Sequence, residues 1–403
     1  MNSVVVKPSD SSGSRRWHPR SLAWVALLTV MGGVLLLGGC ALPQVSAEER
    51  LFLPLTIDLV DVITLPRQTF ADAPVGGLSA LAYDRDRDRF YALSDDRGGF
   101  APPRFYTLNI QRDRTAAAPY IQSVTVEAVT PLRDETGQPY DRDRLDPEGM
   151  ALTPRQTLII ASEGVAASQS PPALNEYALA TGQLKTAFRL PDRFLPAEDD
   201  AAPPRGVRDN LGFEALTLNP ITTQGVFEPF RLFLATESAL AQDFDPNPEH
   251  PLRTRFLHYL IGPDQATFIA EYAYPLSLEP MGAVSHGLSE LLAIDQAGHF
   301  LALERTYGIR GFEVKLWQLA TGGATDISTL AALPAAPNLT PIQKQLVLDF
   351  ADLGGAVTAI DNLEAMTFGP PFPDGAASLW LISDDNFSEY QTTQVWCLRL
   401  AIA

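Results

Sequence analysis

The sequence predicts an all-β chain, a β-propeller of about five four-stranded blades closed by pairing of its N- and C-terminal strands. Three observations predict it. One unit recurs about five times: an apolar strand, a turn, a second apolar strand, then a burst of acids. The acids that close the second strand, Asp95, Glu163, Glu237, Glu304 and Asp384, recur every 67–80 residues. Each interval has room for four strands, which is the spacing of propeller blades. Finally, 33 Pro, 28 Gly and only 19 % charged residues favour short strands and turns over long helices. A β-sandwich, or a pair of them, is the competing arrangement. A sixth blade would need strands within 191–210 or 331–350.

The first 39 residues read as a targeting segment rather than fold. Arg15, Arg16 and Arg20 precede an apolar run from Leu22 to Leu37 that is short and Gly-rich for a membrane span. It ends in Leu37-Gly38-Gly39-Cys40, which looks like a bacterial lipobox, cut before a Cys that receives a diacylglycerol. The expected organisation is therefore a lipoprotein signal peptide over 1–39, a lipidated tether over 40–54 and one domain over 55–403. The expected location is the cell envelope, outside the cytoplasm, with the membrane reached through Cys40. Residues 1–39 hold four basic residues and one acid, so their removal takes the formal net charge from −18 to −21. Such a surface repels nucleic acid and attracts cations. Cys397 is then the sole thiol left besides Cys40; it lies in an apolar strand pattern and reads as core.

Residues 55–65 alternate apolar and polar side chains as a strand with no local partner. The first unit runs from Gly76-Gly77-Leu78 through the turn 84–89 to Asp95-Asp96-Arg97, with further strands at 105–110 and 121–129. The second opens at Asp146-Pro147-Glu148-Gly149-Met150 and its second strand ends at Glu163. A hairpin, 176–179 with 184–190, follows it. The third opens at Gly212-Phe213-Glu214-Ala215, closes at Glu237 and adds strands at 255–261 and 267–274. The fourth is weaker: 287–294, then 300–303 ending in Glu304-Arg305, then 312–319 and a run near 325–330 or 345–350. The fifth, Asn362-Leu363-Glu364-Ala365-Met366 to Ser383-Asp384-Asp385, is followed by one strand only, 394–400. The lone strand 55–65 supplies the missing one and removes the exposed edge.

Two sets of acids recur. Glu148, Glu214 and Glu364 open the first strand of a unit; Asp95 with Asp96, Glu163, Glu237, Glu304, and Asp384 with Asp385 close the second. In an antiparallel pair the start of one strand and the end of the next share an edge, so both sets converge on one mouth of the ring. Crowded carboxylates want a cation or a shared proton. An all-oxygen donor set selects a hard ion, Ca²⁺ in preference to Mg²⁺ for this many acids. The plainer alternative is that these acids cap turns or pair with Arg97, Arg205, Arg208 and Arg305. Asp84-x-Asp86-x-Asp88 imitates a calcium loop but has Arg89 where such loops need Gly, and reads as a hairpin turn. No Gly-x-Ser-x-Gly, His-Glu-x-x-His, P-loop or dinucleotide motif is present.

The Asp146-Pro-Glu-Gly-Met150, Gly212-Phe-Glu-Ala-Leu216 and Asn362-Leu-Glu-Ala-Met366 elements, with Ser-Asp-Asp at 94–96 and 383–385, resemble the "esterase-like activity of phytase" family over about residues 70–400. The resemblance implies a secreted or lipid-anchored propeller that hydrolyses phosphate or other esters. Under that implication Glu148 and Asp384 are the catalytic candidates, and Arg97 and Arg305 would contact a substrate phosphate. Asp95, Asp96, Glu163, Glu214, Glu237, Glu304, Glu364 and Asp385 would hold Ca²⁺. The expected function is a Ca²⁺-dependent, phytase-like phosphoesterase acting on a phosphorylated small molecule, as a monomer. The alternative is a non-catalytic envelope binding or scaffold propeller whose calcium is structural, and a metal-free acidic channel for a cationic or sugar ligand is a third reading.

Overall fold

The structure is a computed structural model and describes residues 51–113, 120–197, 203–220, 228–263, 265–333, 338–354 and 359–402. The expected signal segment, Cys40 and most of the tether lie outside the described residues. Leu51–Ala403 forms one compact unit.

Five four-stranded antiparallel sheets make five blades. Blade I comprises Leu78–Asp84, Arg89–Ser94, Arg104–Arg112 and Ile121–Pro131, from the axis outwards. Blade II comprises Pro147–Leu152, Thr157–Ser162, Ala173–Ala178 and Leu184–Phe188. Blade III comprises Phe213–Leu218, Phe230–Thr236, Arg253–Ile261 and Ala266–Pro275. Blade IV comprises Ala283–Ala293, His299–Gly308, Gly311–Ala320 and Gln343–Asp349. Blade V comprises Asn362–Phe368, Ala377–Asp384, Gln394–Ile402 and, from the other end of the chain, Leu55–Thr64. The five innermost strands neighbour one another in a closed ring, Phe368's strand meeting Leu78's.

The expected closure is present. Leu55–Thr64 pairs antiparallel with Gln394–Ile402, from Leu55 opposite Ile402 to Thr64 opposite Gln394. There is no sixth blade among the described residues: 192–194 is a single 3₁₀ turn, and Gln343–Asp349 is the outer strand of blade IV. Of the two places expected for that strand, the later one holds it.

The pattern of side chains follows from the stacking of blades. Both faces of an inner sheet region are packed, so Thr157–Ser162 is buried at every position and shows no alternation. Outer strands face water and read polar, as Leu184–Phe188 and Gln343–Asp349 do. Each of five apolar clusters fills the gap between two adjacent blades. Phe90 of blade I and Trp380 of blade V, with ring centroids 5.4 Å apart, pack the gap beside the closure. Cys397 is buried there with a free thiol, as expected of a core residue. The Asp84–Asp88 turn is a hairpin turn, Asp84 Oδ1 accepting the N–H groups of Asp86 and Arg87.

Candidate functional site

Every inner strand carries a β-bulge, and the bulges align the five blades. Ser79, Glu148, Glu214, Ser289 and Glu364 are the extra residues, each skipped in the pairing with its second strand. A bulge twists the strand and re-aims its side chain. Just before it, Leu78, Pro147, Phe213, Leu288 and Leu363 pair with Ser94, Ser162, Thr236, Glu304 and Ser383. The residues that follow these partners are therefore equivalent: Asp95, Glu163, Glu237, Arg305 and Asp384. A third equivalent set stands two residues before each bulge: Gly77, Asp146, Gly212, Gly287 and Asn362.

The charged and amide side chains of these sets line one cavity of about 450 Å³ at one end of the ring. Blade II contributes an acid from every set, Asp146, Glu148 and Glu163. Blade III gives Glu214 and Glu237, blade V gives Asn362, Glu364 and Asp384, and blade I gives Asp95. Blade IV gives no acid from these sets, and Arg305 stands in the acid's place. Glycine is required where the backbone runs against a carboxylate: at Gly77, with φ +62°, a Cβ would fall 2.0 Å from Asp95 Oδ1.

The acids are buried together. Glu163, Glu237 and Asp384 are at most 3 % exposed, and Asp146 is fully buried. Ligand oxygens of Asp146, Glu148 and Glu163 lie within 4.8 Å of one another, and so do those of Glu163, Glu214 and Glu237. Burial, reinforced by neighbouring carboxylates, pushes Asp95, Glu148, Glu163, Glu214 and Asp384 well above the usual carboxylate range. Burial also lifts Glu237, to about 7 against the pull of Arg305, and Asp146, to about 6 against the pull of Arg97.

Two guanidinium groups oppose this charge. Arg305 Nη2 lies 3.0 Å from Glu364 Oε1, 3.6 Å from Glu237 Oε1 and 3.9 Å from Glu214 Oε1. Its Nη1 donates to Ser285 Oγ at 3.1 Å, while its buried Nε has no acceptor. Burial works against its charge, but Glu364, Glu237 and Glu214 raise its pKa and keep it protonated. Arg97, nearer the surface, lies 2.7 Å from Asp146 Oδ2 and donates to Asn210 Oδ1 at 2.6 Å. Both arginines therefore line the cavity as expected, and both are already paired with protein groups.

Three of the expected metal acids stand elsewhere. Asp96 ties down its own loop, accepting the N–H groups of Gly98, Gly99, Phe100 and Ala101 and an N–H from Arg104 Nη1 at 2.7 Å. Although burial pushes its carboxyl up, Arg104 and these backbone donors hold it below the usual range. Asp385 Oδ1 accepts from Gly77 and Phe387 N–H groups and fastens the blade V turn to blade I. Glu304 points to a different environment, accepting from Tyr274, Ser277 and Lys344. The expected five-acid ring therefore has four acids and Arg305, one residue further along than the sequence spacing placed it.

Several cavity residues were not among the expected ligands, Asp146, Asp209 and Asn362 among them. Asp146 Oδ1 and Asn362 Oδ1 line the cavity, are buried and accept no hydrogen bond. Their signal was positional, since both stand two residues before a bulge, where other blades have Gly. A further acid, Glu290, was also unforeseen. It lies one step beyond its bulge, where the other blades have Ala80, Gly149, Ala215 and Ala365. Its Oε1 accepts the N–H groups of Leu216 at 3.1 Å and Leu291 at 2.9 Å, joining blades III and IV.

The chain was compared with known proteins. No curated protein matches it. Among solved structures it is similar to the Dos1 propeller (9 % identity, 81 % of this chain and 69 % of that chain, TM-score 0.32). It is also similar to an endo-arabinase from Bacteroides thetaiotaomicron (10 % identity, 83 % and 99 %, TM-score 0.43). A third is the catalytic domain of a GH62 α-L-arabinofuranosidase from Coprinopsis cinerea (9 % identity, 86 % and 97 %, TM-score 0.36). The model of the phytase-like family, described as "esterase-like activity of phytase", matches residues 73–387, which run from the approach to blade I to the acid-bearing turn of blade V. The chain belongs to the phytase-like family.

Proposed function

We propose that this propeller is a Ca²⁺-dependent phosphoesterase whose site is the acid-lined mouth. One observation carries the reading: nine carboxyl groups and two guanidinium groups face a single cavity, and the buried Asp146 Oδ1 within it has no hydrogen-bond partner. An uncompensated buried acceptor calls for a cation or a donor. The donor set is oxygen only, carboxylates with the Asn362 amide, which suits a hard divalent ion. The residues present fit calcium on that ground. When bound, the ion supplies neutralisation of phosphoryl charge and acidification of water.

The chain's own groups account for the rest. Arg305 Nε–H, buried and without an acceptor, is a ready donor to a phosphoryl oxygen. Arg97 guards the more exposed side and can turn from Asp146 to an anion. Glu148 and Asp384 are the candidates to take a proton from the attacking water and return one to the leaving alkoxide. Phosphate release from phytate and simple phosphate monoesters tests the reading. Turnover that needs Ca²⁺, stops with chelator and falls at least about 100-fold in Glu148→Gln or Asp384→Asn with the fold retained is expected. No turnover with or without calcium overturns it in favour of a non-catalytic binding propeller.

We also propose that the chain is exported and lipid-anchored through Cys40, by its lipobox-like Leu37–Cys40. Intact-mass analysis of the protein from a bacterial host checks this: a diacylglyceryl-modified Cys40 at the new N-terminus is expected, and an unmodified residue 1 start is the contrary result.

A further inference from the structure

Resting on the calcium reading above, we propose that the mouth takes one divalent ion, held by blade II, and that Arg305 acts as a fixed cation that keeps the second acid cluster closed to metal. The five-fold register makes the case. At the position where blades I, II, III and V have Asp95, Glu163, Glu237 and Asp384, blade IV has Arg305. Blade IV also has Ser289 at the bulge and Gly287 two residues before it, so it offers no carboxylate from any of the three sets.

The two acid clusters are then unequal. In the cluster Glu163–Glu214–Glu237, the Arg305 guanidinium lies within 4 Å of two of the three carboxylates and also reaches Glu364. A divalent ion entering there would meet a buried positive charge at contact range, a repulsion strengthened by the low local dielectric. In the cluster Asp146–Glu148–Glu163, one cation, Arg97, touches one oxygen of one member, Asp146 Oδ2. Asp146 Oδ1 is fully buried, lines the cavity and accepts nothing. The cluster with a free, buried acceptor has the more exposed arginine, Arg97, as its counter-ion, whereas the arginine beside the other cluster, Arg305, is nearly buried. Glu214 Oε2 is also unpartnered, yet it shares its carboxylate with the oxygen facing Arg305.

Arg305 thereby gives the mouth a direction. A metal-held phosphoryl group near blade II has Arg305 across the axis, with its Nε–H unpaired, so an anion can be held between a removable cation and a permanent one.

Titration of the metal-free protein with Ca²⁺ by calorimetry, and with Tb³⁺ by luminescence, tests the proposal without any assay of turnover. About one ion per chain is expected for the wild type. Glu148→Gln should weaken that ion's binding at least about tenfold. Glu237→Gln, which removes a member of the second cluster only, should change it less than about threefold. Arg305→Gln should raise the stoichiometry to about two. Two ions in the wild type, or a loss in Glu237→Gln as large as that in Glu148→Gln, overturns the proposal. So does an unchanged stoichiometry in a folded Arg305→Gln. If Arg305→Gln does not fold, the two glutamate variants still decide. Failure to bind any ion would overturn the calcium reading as well, whereas binding in the wrong place or number would leave that reading standing.

Discussion

Arg305 Nη2 stands 3.0 Å from Glu364 Oε1, at the one blade position where the repeat of ring acids is broken by a cation. The pair joins the neighbouring blades IV and V at the mouth. Removing one partner of a buried ion pair leaves the other desolvated and uncompensated, which costs about 3 kcal/mol or more. Arg305→Gln is therefore expected to lower unfolding free energy by about 3 kcal/mol at pH 8 without calcium. The loss should shrink near pH 5, where the released glutamates can keep a proton. Urea denaturation at the two pH values checks both the size and the trend.

The acid mouth sets a pH dependence of the metal-free protein. Glu237 is raised from 4.5 to about 7 and Asp146 from 3.8 to about 6, first by burial. Between their ordinary values and these, the folded state holds more protons than the unfolded one, so stability falls as pH rises. The contribution is fully present below about pH 4 and is gone above about pH 7. The melting temperature without calcium should thus decline from pH 5 to pH 8, and saturating Ca²⁺ should flatten the decline. A melting temperature that rises across this interval without calcium would contradict the burial of these carboxyls.

His258 works in the opposite direction. Burial lowers it from 6.5 to about 4, aided by Arg231, and its Nε2 has no partner. The ring lies stacked on Phe233, with centroids 4.6 Å apart. Here the unfolded state takes up the proton first, so this stability is complete above pH 6.5 and is lost as pH falls towards 4. After discounting for partial exposure, on the order of 2 kcal/mol is at stake. The stability difference between wild type and His258→Phe, measured at pH 7.5 and pH 4.5, should change by about that amount in favour of the variant at the lower pH.

Glu290 offers a test of the axis below the mouth. Burial raises its carboxyl well above the usual range, against the pull of the backbone donors of Leu291, Leu216 and Met366. Glu290→Gln keeps a carbonyl acceptor and should cost less than about 1 kcal/mol. Glu290→Ala strands the Leu216 and Leu291 N–H groups and should cost about 2–3 kcal/mol. Chemical denaturation of the two variants separates a satisfied neutral acceptor from a mere space-filling role.

The architecture was legible because a blade sandwiched between neighbours imposes long apolar inner strands at a fixed interval. The broken repeat in blade IV was not. Glu304 and Arg305 are adjacent and both charged, and the pairing of Leu288 with Glu304 is what puts Arg305, one residue on, in the place of the ring acids. Spacing that varies from 67 to 80 residues cannot resolve a difference of one. Asp146 escaped for a related reason: its equivalents Gly77, Gly212 and Gly287 carry no side chain, so no chemical repeat marks the position. The outer strand Gln343–Asp349 has a largely exposed surface, and without a buried face it lacks the alternation that marks a strand. Asp96 and Asp385 follow ring acids directly in sequence, yet adjacent residues at a strand end point apart, and these two turn to backbone N–H groups.

The closing strand has a geometric consequence. Thr64 pairs with Gln394 at the mouth end of blade V, whereas Leu55 pairs with Ile402 at the far end. The backbone of Leu51 reaches the same far side, where its carbonyl accepts from His299 Nε2 at the foot of blade IV. A chain entering through Leu51 therefore arrives on the face opposite the acids. Protein coupled to a solid support through surface groups beside His299 would present its cavity to the bulk solution, whereas coupling through groups beside Arg97 would press it against the support.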